Sequence, residues 1–261
     1  METLHMKPTF LNHKKPLICC MLPTAAPDEV IETIKKAHDE GAEAFGFQLE
    51  CWEPGYLNEE CFRNVFKHCL GKPIYVTSYR GRSNHGKTDD ECVELLFTAL
   101  RAGATLVDVM ADCFDPQPYE ITYNEEAVAK QKALIERLHA AGAEVIMSSH
   151  THTHIGEDEL VRYAKAQRER GADICKIVNV DCSESDTDED FRAILRIKNE
   201  VGGHFLFLSA GGNSHLVRRV GTSLGVCMWL CAQSYAPDVK YSIQPLIGSM
   251  KTFKDELFCD C

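Results

Sequence analysis

Long apolar runs are missing from this chain. None approaches the roughly 20 consecutive apolar residues of a membrane-spanning helix, and residues 1–15 hold no apolar core of the kind a secretory signal needs. Basic charge is scarce: 28 lysines and arginines face 39 aspartates and glutamates, for a formal net charge of -11. Nucleic acids and anionic lipid surfaces are polyanions, so neither is expected as a partner. A locally basic pocket could still take a small acidic molecule. Glycine is absent from Cys20-Met21-Leu22-Pro23, where a phosphate loop or dinucleotide fingerprint would follow the first strand. No cofactor is expected.

Disulfide patterning is also lacking. The 13 cysteines are odd in number and scattered, with Cys19 and Cys20 adjacent, a poor disulfide framework. Free thiols in a reducing, cytoplasmic setting are expected. The tail Cys259-Asp260-Cys261 offers two thiols, too few for a strong metal site, and reads as a frayed terminus.

What is present is a repeat of apolar run, loop and amphipathic stretch over 261 residues, the usual size of one α/β barrel. Strands are predicted at 17–22, 44–49, 74–79, 106–110, 144–149, 174–180, 204–209 and 227–232. Helices are predicted at 28–39, 59–69, 89–102, 125–141, 157–170, 189–201, 215–224 and 245–257. Gly41, Gly71, Gly103, Gly142, Gly171 and Gly202 sit where helices should end. Apolar strands alternating with helices imply a parallel sheet covered by helices. Eight such pairs close most naturally as a single-domain (β/α)8 TIM barrel. Residues 1–15 form a short lead-in that covers the barrel bottom, and the acidic stretch 181–190 reads as a solvated loop and helix start. An open, doubly wound sheet is the structural rival.

Active groups in such a barrel come from strand C-termini and the loops after them. Lys176 interrupts the apolar run Ile174-Cys175-Lys176-Ile177-Val178. A lysine there is desolvated, which favours the neutral amine, and a neutral amine attacks carbonyls. An outward lysine or half of a buried ion pair would look the same in sequence. His150 ends the neighbouring strand, and strands lie about 5 Å apart, so an acid–base imidazole would sit beside the amine. A second reading takes His150, His152 and His154, at alternating positions, as metal ligands completed by Glu50, Asp108 or Asp112, giving a metal-dependent hydrolase or isomerase. A third is a barrel that binds a ligand without turnover.

Three segments resemble the type I 3-dehydroquinate dehydratase family, a (β/α)8 family that uses a lysine Schiff base. They are Val145-Ile146-Met147-Ser148-Ser149-His150, Gly171-Ala172-Asp173-Ile174-Cys175-Lys176-Ile177, and residues 209–221 with Gly211, Arg218 and Gly221 in register. The resemblance covers about residues 17–244. It implies a hydro-lyase of aromatic amino acid biosynthesis through the shikimate pathway, needing no metal. Lys176 would attack the C3 ketone of 3-dehydroquinate, and His150 would remove the C2 proton and protonate the departing C1 hydroxyl. Arg218 and Gln244 would hold the carboxylate, and Arg80 would stand at the hydroxyl-bearing end. The family often forms dimers, so a homodimer is possible.

The sequence departs from the family at that hydroxyl-bearing end. Asn84 replaces a glutamate that orients the histidine, so His150 should be a weaker base or find another partner. Gly46 and Gln48 replace a glutamate and an arginine that grip ring hydroxyls. Glu50 replaces an aspartate, and Met110 occupies a usually acidic position. Lys240 stands where a lid serine is usual, with Ser242 nearby. Imine and carboxylate ends look retained and the hydroxyl end rebuilt, which points to a related carboxylated ketone as substrate as readily as to 3-dehydroquinate.

Overall fold

The computed structural model of the protein describes residues 7–23, 26–235 and 243–258. Eight strands, β1 (Leu17–Leu22), β2 (Ala44–Gln48), β3 (Ile74–Thr77), β4 (Leu106–Met110), β5 (Glu144–His150), β6 (Ile174–Asp181), β7 (His204–Gly211) and β8 (Met228–Cys231), alternate with eight helices. The helices are α1 (Pro27–Glu40), α2 (Glu59–Phe66), α3 (Asp89–Ala102), α4 (Glu125–Ala140), α5 (Glu157–Glu169), α6 (Glu184–Arg196), α7 (Ser214–Val220) and α8 (Ile247–Leu257). The paired strands are parallel, in the order β7-β6-β5-β4-β3-β2-β1-β8. The Cys227 N–H donates to the Phe205 carbonyl at 3.0 Å, drawing the two ends of the sheet together into a barrel. Among the described residues no helix is long and apolar enough to cross a membrane.

Burial explains the strands. β1 to β4 are apolar along nearly their whole length because the helices cover one face and the opposite strands the other. Residues 7–16 run beneath the barrel, where Phe10 enters the core and its N–H donates to Glu144 Oε2 at 2.7 Å. Gly41 and Gly103 end α1 and α3 in left-handed geometry (φ 97° and 118°), where a side chain would clash with the backbone.

Several element ends differ from expectation, and two of them bear on the site. β3 stops at Thr77 rather than running to Tyr79, because the Thr77 hydroxyl and the Tyr79 N–H both turn to the buried carboxylate of Glu50, at 2.9 and 3.3 Å. α6 starts at Glu184, five residues before the predicted 189. Its start is set by a capping box, Ser183 Oγ on the Asp186 N–H and the Asp186 carboxylate on the Ser183 N–H, and not by apolar spacing. The stretch 181–190 is the expected loop and helix start, with Cys182, Ser183, Glu184, Ser185 and Asp188 exposed, but Asp181, Thr187 and Asp190 are buried.

Candidate active site

Lys176 lies in the middle of β6, level with Ser148 of β5 and Leu206 of β7. Its neighbour Cys175 turns outward and donates to the Ala164 carbonyl on α5 at 3.3 Å. Strand alternation therefore sends Lys176 into the barrel, where its side chain is only 5% exposed. Nζ donates to the Tyr75 hydroxyl at 3.0 Å, to Asp108 Oδ2 at 3.1 Å and, closely, to the Tyr79 hydroxyl. An ammonium has three N–H donors, and here each has an acceptor.

Asp108, on β4, collects the other ends of this network. Oδ2 accepts from both phenols, at 2.6 Å from Tyr79, and Oδ1 accepts from Ser148 at 2.5 Å. Four donors converge on one acid, an arrangement that fits the ionised carboxylate. Burial, then the charge of Asp108, pushes both phenols well above the ordinary tyrosine range, so they remain neutral donors. Of the arrangements the sequence leaves open for Lys176, the structure shows a buried ion pair with Asp108. The barrel supplies a buried counter-charge, because an unpartnered ammonium in its interior would be far more costly.

His150 ends β5, one strand from Lys176 and two residues further toward the mouth. Its Nδ1 makes a close contact with the Glu120 carboxylate, and the Tyr79 ring meets the imidazole edge-on, with centroids 5.2 Å apart. Glu120 sits in the β4–α4 connection with φ 50°, a conformation that side chains disfavour. The connection is pinned by two side chains packed behind it. Arg170 donates to the Ala111 carbonyl at 2.7 Å and also to that of Thr122, and Gln131 donates to Ala111 and Cys113 at 3.1 and 2.9 Å. Burial pushes Glu120 up, but the hydrogen bond and charge of His150, with the charge of Lys176, outweigh it and hold the carboxyl below its usual range.

Asn84, expected beside the histidine, is turned away. Its amide donates to Ser78 Oγ at 3.2 Å and the Tyr79 carbonyl at 2.9 Å, and its oxygen accepts from Lys87 at 2.7 Å. Arg80 is likewise occupied elsewhere. Its guanidinium forks onto Asp89, at 2.7 Å for both contacts, and meets Asp112 at 2.8 Å. That pair of carboxylates, on α3 and just after β4, takes up most of its N–H donors. Gln48 is half-buried at the end of β2, with Nε2 3.4 Å from Glu50 Oε1. Ser242 and Lys240, like the cysteine tail, lie outside the described residues.

The structure brings Arg218 and Gln244 together. Arg218, buried on α7, donates Nε to the Ser209 carbonyl at 2.7 Å and Nη1 to Gln244 Oε1 at 3.1 Å. Burial lowers its pKa to about 10, against the opposing charge of Asp181, which leaves it cationic at neutral pH. Ser209 is three residues beyond Leu206, the neighbour of Lys176, so this pair stands roughly 10 Å up the barrel from the amine. The three histidines, by contrast, do not share a face. His152 is exposed, and His154 contacts the Val180 carbonyl at 3.0 Å and Glu189 at 2.7 Å. Among the described residues no three His, Cys, Asp or Glu side chains could hold a metal ion.

Outside the barrel wall, Asn179 donates to Asp190 Oδ1 at 2.8 Å, while Asp190 Oδ2 and the nearby Ser209 hydroxyl have no hydrogen-bond partner among the described residues. Burial pushes Asp190 up to about 6, against the Asn179 hydrogen bond and the His154 charge. A folded carboxyl pKa above the unfolded value means that the native state binds the proton more tightly. Stability is therefore lost as pH rises from about 4 to 6. Asp190→Asn keeps the acceptor for Asn179 and removes the buried charge. It should stabilise the protein at pH 7 by on the order of 2 kcal/mol, a gain that vanishes near pH 4 in urea denaturation.

A (β/α)8 barrel with a lysine inside β6, a histidine–glutamate pair at its mouth and an arginine–glutamine pair above defines a class of structure. Comparison with known proteins narrows it. A family model described as type I 3-dehydroquinase matches residues 18–232. The 3-dehydroquinate dehydratase of Klebsiella pneumoniae is 30% identical over 210 residues, 78% of this chain and 79% of that one. The crystal structure of 3-dehydroquinate dehydratase from Geobacillus kaustophilus overlays with a TM-score of 0.78 at 16% identity, covering 95% of this chain and 93% of that chain. The type I enzyme from Clostridium difficile, with covalently modified comenic acid, overlays equally well at 0.78, with 17% identity and coverage of 95% and 94%. The chain belongs to the type I 3-dehydroquinase family, a family of hydro-lyases.

Proposed function

We propose that this protein dehydrates a carboxylated ketone, 3-dehydroquinate or a less hydroxylated relative, through an imine on Lys176. The observation that carries the reading is the inward Lys176 paired with Asp108, one strand from the His150–Glu120 pair. Arg218 and Gln244 would grip the substrate carboxylate, a role suited to a guanidinium. Asp108 would take the ammonium proton, and the amine would attack the ketone. The imine acidifies the adjacent C–H because the resulting carbanion delocalises as an enamine. His150 would remove that proton and return one to the departing hydroxyl.

Support for a less hydroxylated substrate comes from the wall opposite. A Cβ on Gly46 would fall 2.3 Å from Met21 Sδ, so the thioether fills the space an acidic side chain would need. Met110 is buried on β4, and Arg80 is held by its two aspartates. The eleven described cysteines are free, which fits a reducing, cytoplasmic setting. Borohydride treatment with a panel of keto acids, read by mass spectrometry, tests the reading. A reduced adduct on the Lys176 peptide is expected, strongest for substrates that keep the departing hydroxyl and lack the distal ring hydroxyls. Turnover of 3-dehydroquinate at a rate usual for the family would overturn the substrate preference.

One observation favours a second reading. Each N–H of Lys176 already has an acceptor, as in a structural ion pair. In that case the barrel binds its carboxylate ligand at Arg218 without turnover. The same experiment separates the two, because this reading gives thermal stabilisation by the keto acid and no adduct.

A further inference from the structure

The imine reading leaves a proton problem. Forming an imine from an ammonium and a ketone releases water, and protons must reach the carbonyl oxygen twice on the way. His150 stands two residues further up the barrel and is engaged by Glu120. The group in contact with Nζ on the mouth side is Tyr79. Its hydroxyl touches Nζ, it donates to Asp108 Oδ2 at 2.6 Å, and its ring packs edge-on against His150. Tyr75 makes the same two hydrogen bonds but is fully buried and lies deeper, level with Gly46 and Leu106. Tyr79 is partly exposed, so a ketone descending from the mouth meets it first.

We propose that Tyr79 is a catalytic residue, the acid that protonates the ketone oxygen during imine formation; this rests on the imine reading above. Asp108 takes one proton from the Lys176 ammonium. As nitrogen bonds to the carbonyl carbon, the oxygen takes the Tyr79 proton, and Tyr79 recovers one from Asp108. The nitrogen of the resulting carbinolamine then loses a proton by the same route, and this proton goes to the hydroxyl group. The C–O bond breaks, water leaves and nitrogen's lone pair closes the C=N bond. The sum is ammonium plus ketone giving protonated imine plus water. Neither phenol is acidic enough to act alone, since burial holds both well above the ordinary range. The contact with Asp108 lets the proton be replaced as it leaves.

The test compares Tyr79→Phe with Tyr75→Phe, two variants that each delete one hydroxyl from the same network. Imine formation is read by exchange of the ketone oxygen of 3-dehydroquinate with isotopically labelled water, and by the rate of borohydride trapping on Lys176. Neither needs the later dehydration. Tyr79→Phe should slow both by about 10- to 100-fold, with the KM for the carboxylate-bearing substrate within about threefold of wild type. Tyr75→Phe should slow them several-fold less. Equal losses in the two variants would mean a merely structural network and overturn the assignment, as would Tyr79→Phe rates close to wild type. If wild type itself gives no adduct and no exchange with any keto acid, the imine reading falls and takes this inference with it.

Discussion

Lys176→Met should abolish the borohydride-trapped adduct and destabilise the protein by about 3–5 kcal/mol, the usual cost of breaking a buried ion pair. The two effects have one origin. Asp108 has a fully buried side chain and sits 3.1 Å from Nζ. Without the ammonium it keeps three hydroxyl donors, from Tyr75, Tyr79 and Ser148, but no compensating charge. Methionine nearly matches lysine in length, so little volume is lost and the cost is chiefly electrostatic. Adding Asp108→Asn should therefore recover a large part of the lost stability in urea denaturation while restoring no trapping. A double variant no more stable than Lys176→Met would show that packing, and not charge, explains the loss. An adduct persisting in the single variant would place the nucleophile elsewhere.

Much of the fold is legible in the sequence because burial on both sides leaves parallel strands as apolar runs. Lys176 stood out for the same reason, as one charge inside such a run. Its partners did not. Ile74-Tyr75-Val76 reads as plain core, and only the closure of the barrel aims the Tyr75 hydroxyl across at β6. The apolar run predicts a strand through Tyr79, but β3 ends two residues earlier, drawn off by Glu50. Asp108 was visible as a polar residue on β4, but whether it faces Lys176 depends on register. Glu120 gave no periodic signal in Gln117-Pro118-Tyr119-Glu120. The available clue was that a family carboxylate beside the histidine had become Asn84, which left a vacancy for an acid from another loop. Arg80 matches the family in sequence, but its two aspartate partners are brought near only by the fold.

His150→Ala should lower turnover by about 10²- to 10⁴-fold, the range for losing a positioned acid–base group, and should leave the Lys176 adduct trappable. If His150 removes the proton next to the imine, the variant stalls after imine formation, so the trapped fraction at steady state should rise above wild type. Loss of both turnover and adduct would mean that His150 is needed for the imine itself. Glu120→Gln separates orientation from chemistry. The imidazole keeps a hydrogen-bonding partner of the same shape but loses the charge that stabilises its protonated form, so turnover should fall by less than in His150→Ala. The pH dependence of stability has a definite sign here. The Glu120 carboxyl is held below its usual range because the His150 hydrogen bond and charge outweigh burial. Its stabilising contribution, on the order of 1 kcal/mol, is therefore present above the unfolded value near pH 4 and lost as pH falls through the folded one. Wild type should exceed Glu120→Gln in stability at pH 6, and the gap should close in acid. A gap that widens as pH falls would mean that Glu120 is not ionised against His150, and the acid–base pair would have to be reassigned.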